Sequence, residues 1–107
     1  MVTQINETEL KKNIENSKKP ILVDFYANWC GPCKLAEPLL EDFSKDNSDF
    51  VDFYKIDVDE NGSLAQEYGI RNIPYFLLIE GGEVKGRLVG SPTKEKLNNF
   101  ISEFKKN

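Results

Sequence analysis

The 107-residue chain has no histidine, one tryptophan, one methionine and only two cysteines. Without histidine, the commonest general base at neutral pH is missing. A zinc site needs four ligands, as a rule Cys and His; one chain offers two, so zinc would have to bridge a dimer, and no metal is expected. Positive charge is also short: 14 Lys and Arg stand against 18 Asp and Glu, a net charge of −4. That argues against a nucleic-acid partner, which needs a basic patch. The pairs Lys11-Lys12, Lys18-Lys19 and Lys105-Lys106 have acidic or polar neighbours and read as solvated helix ends. Long apolar runs are absent. The longest, Ile73 to Ile79, has the length of a strand, against the ~18 residues of a membrane span. The first twenty residues are polar and show no secretory h-region. The expectation is a cytoplasmic protein with no membrane contact. There are no repeats, linkers or low-complexity tracts, so residues 1–107 read as one domain with a modest core.

What is present alternates. Residues 7–17 have helical character, with Leu10 and Ile14 on one face and Pro20 as the stop. Residues 21–27 are nearly all apolar, as in a strand buried on both faces. A helix is expected from about Pro32, with Leu35, Leu39, Leu40 and Phe43 as its apolar face and a kink at Pro38. Phe50 to Val58 reads as a second strand, followed by a short helix over residues 64–68, capped by Asn61 or Ser63 and ended by Gly69. Tyr75 to Ile79 and Val84 to Val89 flank a hairpin turn at residues 80–83, and Ser91 or Thr93 opens a last helix carrying Leu97, Phe100, Ile101 and Phe104. A short strand at Val2 to Ile5 can precede the series. The alternation implies an α/β fold: a mixed sheet, mostly parallel with an antiparallel C-terminal hairpin, flanked by four helices.

Both cysteines fall in Trp29-Cys30-Gly31-Pro32-Cys33, at the junction of strand and helix. The thiolate is the reactive form, and a free cysteine has a pKa of about 8.5. At a helix N-terminus, free amide donors and the macrodipole favour the anion by up to ~2 kcal/mol, which lowers the pKa by about one to one and a half units. Cys30 is then the attacking thiolate. Cys33, a turn deeper, is expected to be more buried and protonated, and resolves. Gly31 permits the tight entry and Pro32 stiffens the turn. A structural disulfide, a dimer-bridging zinc and inert buried thiols are the competing readings. So short a loop constrains the unfolded chain little, and the flanking residues suggest a surface turn.

Asp24 interrupts the apolar strand that leads to the cysteines. Were the strand an edge, Asp24 would be solvated; in a central strand it is buried, with a raised pKa. It is then the best general acid/base for Cys33. Lys55 on the next strand can approach and tune it, or snorkel outward. Ile73-Pro74 precedes a strand; a trans proline is the ordinary reading there, and the residues alone do not establish a cis bond. Trp29 reads as a rim residue of the site rather than a core residue.

The segment Asp24-Phe25-Tyr26-Ala27-Asn28-Trp29-Cys30-Gly31-Pro32-Cys33-Lys34 resembles the active-site segment of the thioredoxin family. Pro38, residues 55–59, residues 68–71, Ile73-Pro74, Gly81-Gly82 and Val89-Gly90 follow in that family's order, so the resemblance covers about residues 2 to 106. It implies a single-domain thioredoxin fold and a general protein-disulfide reductant. It implies a cis Pro74 facing the cysteines, and a shallow substrate groove of Trp29, Gly31, Pro32, Ile73, Pro74, Val89 and Gly90, with Tyr75 at its border as a further substrate-binding residue. No bound cofactor is implied, since NADPH and FAD belong to a reductase partner; the other partners are disulfide-containing proteins, and the chain is expected to be a monomer. Tyr26, Asn72 and Tyr75 depart from the usual tryptophan, glycine and threonine. The last two border the groove and bear on substrate range. A disulfide oxidant or isomerase on the same fold, and a non-catalytic binding module, are the alternatives. The oxidising relatives commonly carry a histidine between the cysteines, which Gly31-Pro32 lacks.

Overall fold

A computed structural model of the chain describes residues 1–105; Lys106 of the last lysine pair lies outside the described residues. The order is β1 (Thr3–Gln4), α1 (Glu7–Asn16), β2 (Ile21–Tyr26), α2 (Gly31–Asn47), β3 (Asp52–Asp57), α3 (Gly62–Glu67), β4 (Tyr75–Glu80), β5 (Glu83–Val89) and α4 (Lys94–Ile101), with a 3₁₀ turn at Ser102–Lys105. The helices start where the chemistry of their caps dictates. Asn6 and Glu9 form a reciprocal capping box on α1, and the Thr93 side chain accepts from the Lys96 amide at the start of α4. Asn61 precedes α3 without a side-chain cap bond. Its amide group instead donates to the Asp57 carbonyl, and its Oδ1 accepts from the Glu7 amide.

The five strands lie in the order β1-β3-β2-β4-β5. β1 and β2 both run parallel to β3, whereas β4 runs antiparallel to β2 and to β5. The mixed sheet and four helices match the sequence reading. The antiparallel part is wider than the expected hairpin edge, because the single reversed strand, β4, sits inside the sheet and pairs antiparallel on both sides. The connection through α3 and the loop ending at Pro74 is what reverses the chain there. Gly81 and Gly82, both at positive φ (60° and 81°), make the tight turn from β4 to β5.

Apolar residues fill both faces, as the near-continuous hydrophobicity of β2 requires. Ile21, Val23 and Phe25 join Leu10, Ile56, Leu64, Leu77 and Ile79 on the face covered by α1 and α3. Leu22 joins Leu40, Phe43, Phe53, Phe76, Leu97 and Ile101 on the face covered by α2 and α4. Period-two alternation then places Asp24 on the α2 face, along with Lys55 of β3. One expected core residue is not there. Leu35 is 79% exposed. The inward row of α2 runs Cys33, Ala36, Leu40, Phe43, Asn47 at helical spacing, which turns Leu35 to solvent and gives its place to Ala36. Leu39 is half-buried against that row, and α2 continues through Pro38.

Candidate active site

β2 ends at Tyr26, and Ala27 to Cys30 make a tight turn in which the Cys30 amide donates to the Ala27 carbonyl at 3.2 Å. Cys30 is the N-cap of α2, with Gly31 and Pro32 as the first two helical residues. Its Sγ accepts the Cys33 backbone N–H at 3.2 Å, so the sulfur occupies the position of a capping oxygen, where unpaired amides favour an anion. Cys30 and Cys33 are joined as a disulfide, their Cα atoms 5.3 Å apart. With Ala27 they form a small buried cluster against Tyr26, Val58 and Ile73.

The expected contrast in burial between the two cysteines is absent: they are 4% and 3% exposed. Ile73 is the reason on the Cys30 side. It packs on the cluster and brings its carbonyl oxygen to 3.9 Å from Cys30 Sγ. The exposed surface around the sulfurs belongs to Gly31, Pro32 and Trp29, the last 71% exposed. Trp29 is thus a rim residue, and its indole Nε1 donates to Asp59 Oδ2 at 2.8 Å.

The Ile73–Pro74 bond is cis. Pro74 is buried, and its carbonyl accepts the Gly90 N–H at 2.9 Å, which ties the end of β5 to the loop beside the cysteines. Gly90 sits at φ +90°, a conformation that suits glycine. Val89 is 48% exposed next to it. The structure therefore gathers Trp29, Gly31, Pro32, Ile73, Pro74, Val89 and Gly90 around one end of the sheet. Tyr75 does not join them. Its side chain is buried in the cluster of Phe25 and Leu77, and its hydroxyl accepts from Arg87 Nη1 at 2.9 Å. The same Arg87 nitrogen donates to the Tyr68 carbonyl at 2.8 Å. Strand alternation after Pro74 turns Tyr75 inward.

Asp24 is 3% exposed in the central strand, and its Oδ1 has no hydrogen-bond partner. Burial pushes its pKa up from 3.8 to about 7, with Lys55 pulling it down and Glu37 adding to the rise. Lys55 is the Cα partner of Asp24 across β2 and β3. Its ammonium does not close on Asp24. It lies 3.9 Å from Glu37 Oε1 and 5.5 Å from the centre of the Tyr26 ring. Sequence reasoning passed over Glu37; its place four residues after Cys33, one helical turn along the same row, was the available signal. Asp59 was also missed, and nothing in its spacing marks it. Among the described residues, no group of three or more acidic, histidine or cysteine side chains is placed to hold a metal ion, and no helix is long and apolar enough to cross a membrane.

A buried disulfide at a helix mouth, a carboxyl poised to exchange a proton near neutral pH, and an exposed aromatic rim form the chemistry of reversible thiol–disulfide exchange. Comparison with known proteins agrees. The thioredoxin family profile matches residues 1–103. The chain is 38% identical over 103 residues to a thioredoxin of Rickettsia felis, covering 96% of this chain and 98% of that one. It is 39% identical over 102 residues to a thioredoxin of Haemophilus influenzae, covering 95% of each. A chloroplastic thioredoxin M4 of Arabidopsis thaliana is 36% identical over 103 residues, 96% of this chain and 53% of that protein. In structure, the chain superposes on a crystal structure of a Nicotiana alata thioredoxin with a TM-score of 0.89 and 39% identity, covering 98% of this chain and 93% of that one.

Proposed function

The chain belongs to the thioredoxin family, and on that premise we propose how its residues divide the work of a protein-disulfide oxidoreductase. The Cys30–Cys33 pair makes it a dithiol–disulfide reductant that carries its redox centre in its own side chains and needs no bound cofactor. The Cys30 thiolate attacks a substrate disulfide. A mixed disulfide forms, and the first substrate sulfur leaves as a thiolate that takes a proton from solvent. Cys33 then gives its proton to the Asp24 carboxylate and attacks the Cys30 sulfur, which expels the second substrate thiolate. Two electrons have passed to the substrate, and the Cys30–Cys33 disulfide remains. Lys55 tunes Asp24. Trp29, Gly31, Pro32, Ile73, Pro74, Val89 and Gly90 dock the extended substrate backbone, with Tyr75 supporting the loop from beneath.

The observation that carries this reading is the placement of Cys30 Sγ as the cap of α2, 3.2 Å from the Cys33 amide. The family implies a reductase and protein substrates as partners in general. We further propose that NADPH and FAD act through that reductase, that residues 1–107 form one monomeric domain without nucleic-acid or membrane partners, and that it works in the cytoplasm. The chloroplastic label of some relatives is the competing location.

The test is the redox equilibrium of the pair against a thiol buffer, read by Trp29 fluorescence. Thioredoxins as a family lie near about −270 mV and disulfide isomerases near about −180 mV, a gap of ~90 mV or roughly 4 kcal/mol. A value near the first is expected. A value near the second, or higher, reverses the direction of electron flow and makes the chain an oxidant or isomerase.

A further inference from the structure

We propose that Glu37 is a positioning residue for proton transfer at the dithiol: it holds the Lys55 ammonium away from Asp24 and leaves the buried carboxyl free to exchange a proton. This rests on the reading of Asp24 as the proton acceptor.

An aspartate and a lysine that are Cα partners on adjacent strands, both turned to the same face, are placed to form an ion pair. Asp24 and Lys55 do not. Asp24 Oδ1 is without a partner, and the carboxylate beside the Lys55 ammonium is that of Glu37, at 3.9 Å. The placement of Glu37 follows from α2. It lies in the row Cys33, Glu37, Leu40, Ser44, whose other three members are buried. An apolar residue there would extend the core face; a glutamate instead sends its carboxylate to the edge, with a side chain 61% exposed, where Lys55 can reach it. The Lys55 side chain is only 23% exposed, and its head is held between Glu37 and the Tyr26 ring. The charged groups that act on the Asp24 carboxyl are Lys55 from β3, which favours ionisation, and Glu37 from α2, which opposes it. The Tyr26 phenol on β2 completes the surroundings; it is neutral at working pH, and partial burial with Asp57, Glu37 and Glu60 raises its pKa further.

The consequence is chemical. A carboxylate locked to an ammonium has little affinity for a thiol proton, whereas a proton acceptor works best when its pKa lies near the working pH. Glu37 competes for the cation and so keeps Asp24 in the useful range.

The experiment is a titration of the Asp24 carboxyl carbon by NMR with ¹³C-labelled aspartate, in the oxidised protein so that neither thiol titrates. Four forms are compared: the native chain, Glu37→Gln, Lys55→Met and the double variant. Glu37→Gln is expected to lower the Asp24 midpoint by about one pH unit, the low end for a cation arriving within ~4–6 Å. In the Lys55→Met background the same substitution should lower it by clearly less, because no ammonium remains to be released. An unchanged midpoint in Glu37→Gln, or an equal shift in both backgrounds, overturns the proposal. The pH profile of resolution by Cys33, measured in the reduced protein, separates the two readings. If the midpoint moves and the profile does not, Glu37 positions Lys55 as proposed but Asp24 is not the acceptor.

Discussion

Two aspartates are buried on the same face of the sheet, and they are in opposite conditions. Asp24 and Asp57 are 3% and 5% exposed. They lie on neighbouring strands, Asp57 two residues beyond the Cα partner of Asp24. Asp57 ends β3, and the turns at that end of the sheet supply donors: its Oδ1 accepts the Asp59 N–H at 2.9 Å from the turn after β3, and the Asn28 amide of the turn after β2 lies 3.5 Å from its Oδ2. Asp24 stands in the middle of β2, where the neighbouring backbone is committed to β3 and β4, and its Oδ1 has nothing. Burial alone therefore does not make a reactive carboxyl. The supply of local donors decides: at a strand end they turn an aspartate into a loop anchor, and in mid-strand their absence leaves a group that resists losing its proton.

The largest expected effect is on stability. Asp24 has a pKa of 3.8 in the unfolded chain and about 7 in the folded one. Below pH 3.8 both states hold the proton and Asp24 contributes no pH dependence; from there to about pH 7 the folded state binds more protons, so stability falls as pH rises, and above about pH 7 the loss is complete. At 1.36 kcal/mol per unit the total is about 4 kcal/mol. Denaturant unfolding of the native chain and of Asp24→Asn from pH 4 to 8 should show the variant gaining on the native chain across that window. Parallel curves would mean that Asp24 is as well served as Asp57, and the contrast would collapse.

Next in size is the rate. On the proposed mechanism Asp24→Asn removes the proton acceptor and should slow resolution by Cys33 by about 10²-fold, the low end for general acid–base catalysis, with little effect on attack by Cys30. Mixed disulfide with substrate should accumulate in a rapid-quench experiment. If it does not, Asp24 is a destabilising residue without a role in proton transfer.

How much of this contrast was legible in the sequence differs between the two residues. Asp24 stood out because it breaks an apolar strand, and the strand's central place followed from hydrophobicity on both faces. The cysteine pair was visible in the same way, since its place between an apolar strand and Pro32 puts both sulfurs at a helix start. Asp57 was passed over because its partners come from turn geometry, which residue type does not specify. Glu37 carries one sequence signal, its place one helical turn after Cys33, but an exposed-looking glutamate before a proline has no visible partner until α2 is laid against β3. The inward row of α2 was misread at Leu35 since the row is set by Cys33, one residue before the lysine and leucine that look like the start of an amphipathic face. The position of β4 inside the sheet depends on how the loop ending at Pro74 turns, and alternation of elements gives no account of that. Its place after Pro74 makes Tyr75 look like a substrate-binding residue, but strand alternation buries its side chain, with its hydroxyl on Arg87.

The smallest effect sharpens the contrast from the other side. Asp57→Ala removes the acceptor for the Asp59 amide and leaves that N–H to water or unpaired; the cost is about 2 kcal/mol, within the range for a donor deprived of its partner. Resolution by Cys33 should be largely unchanged, because the proposed mechanism gives the proton transfer to Asp24 and not to Asp57. The loss has one route to the site. Asp59 receives the Trp29 indole at 2.8 Å, so a looser turn at residues 57–59 loosens the rim. The measurable sign is lower Trp29 fluorescence anisotropy and a raised KM for a protein disulfide, with kcat kept. A fall in kcat as large as that of Asp24→Asn would show that the anchored aspartate shares in the proton transfer, and that hydrogen-bond supply does not divide the two carboxyls by function.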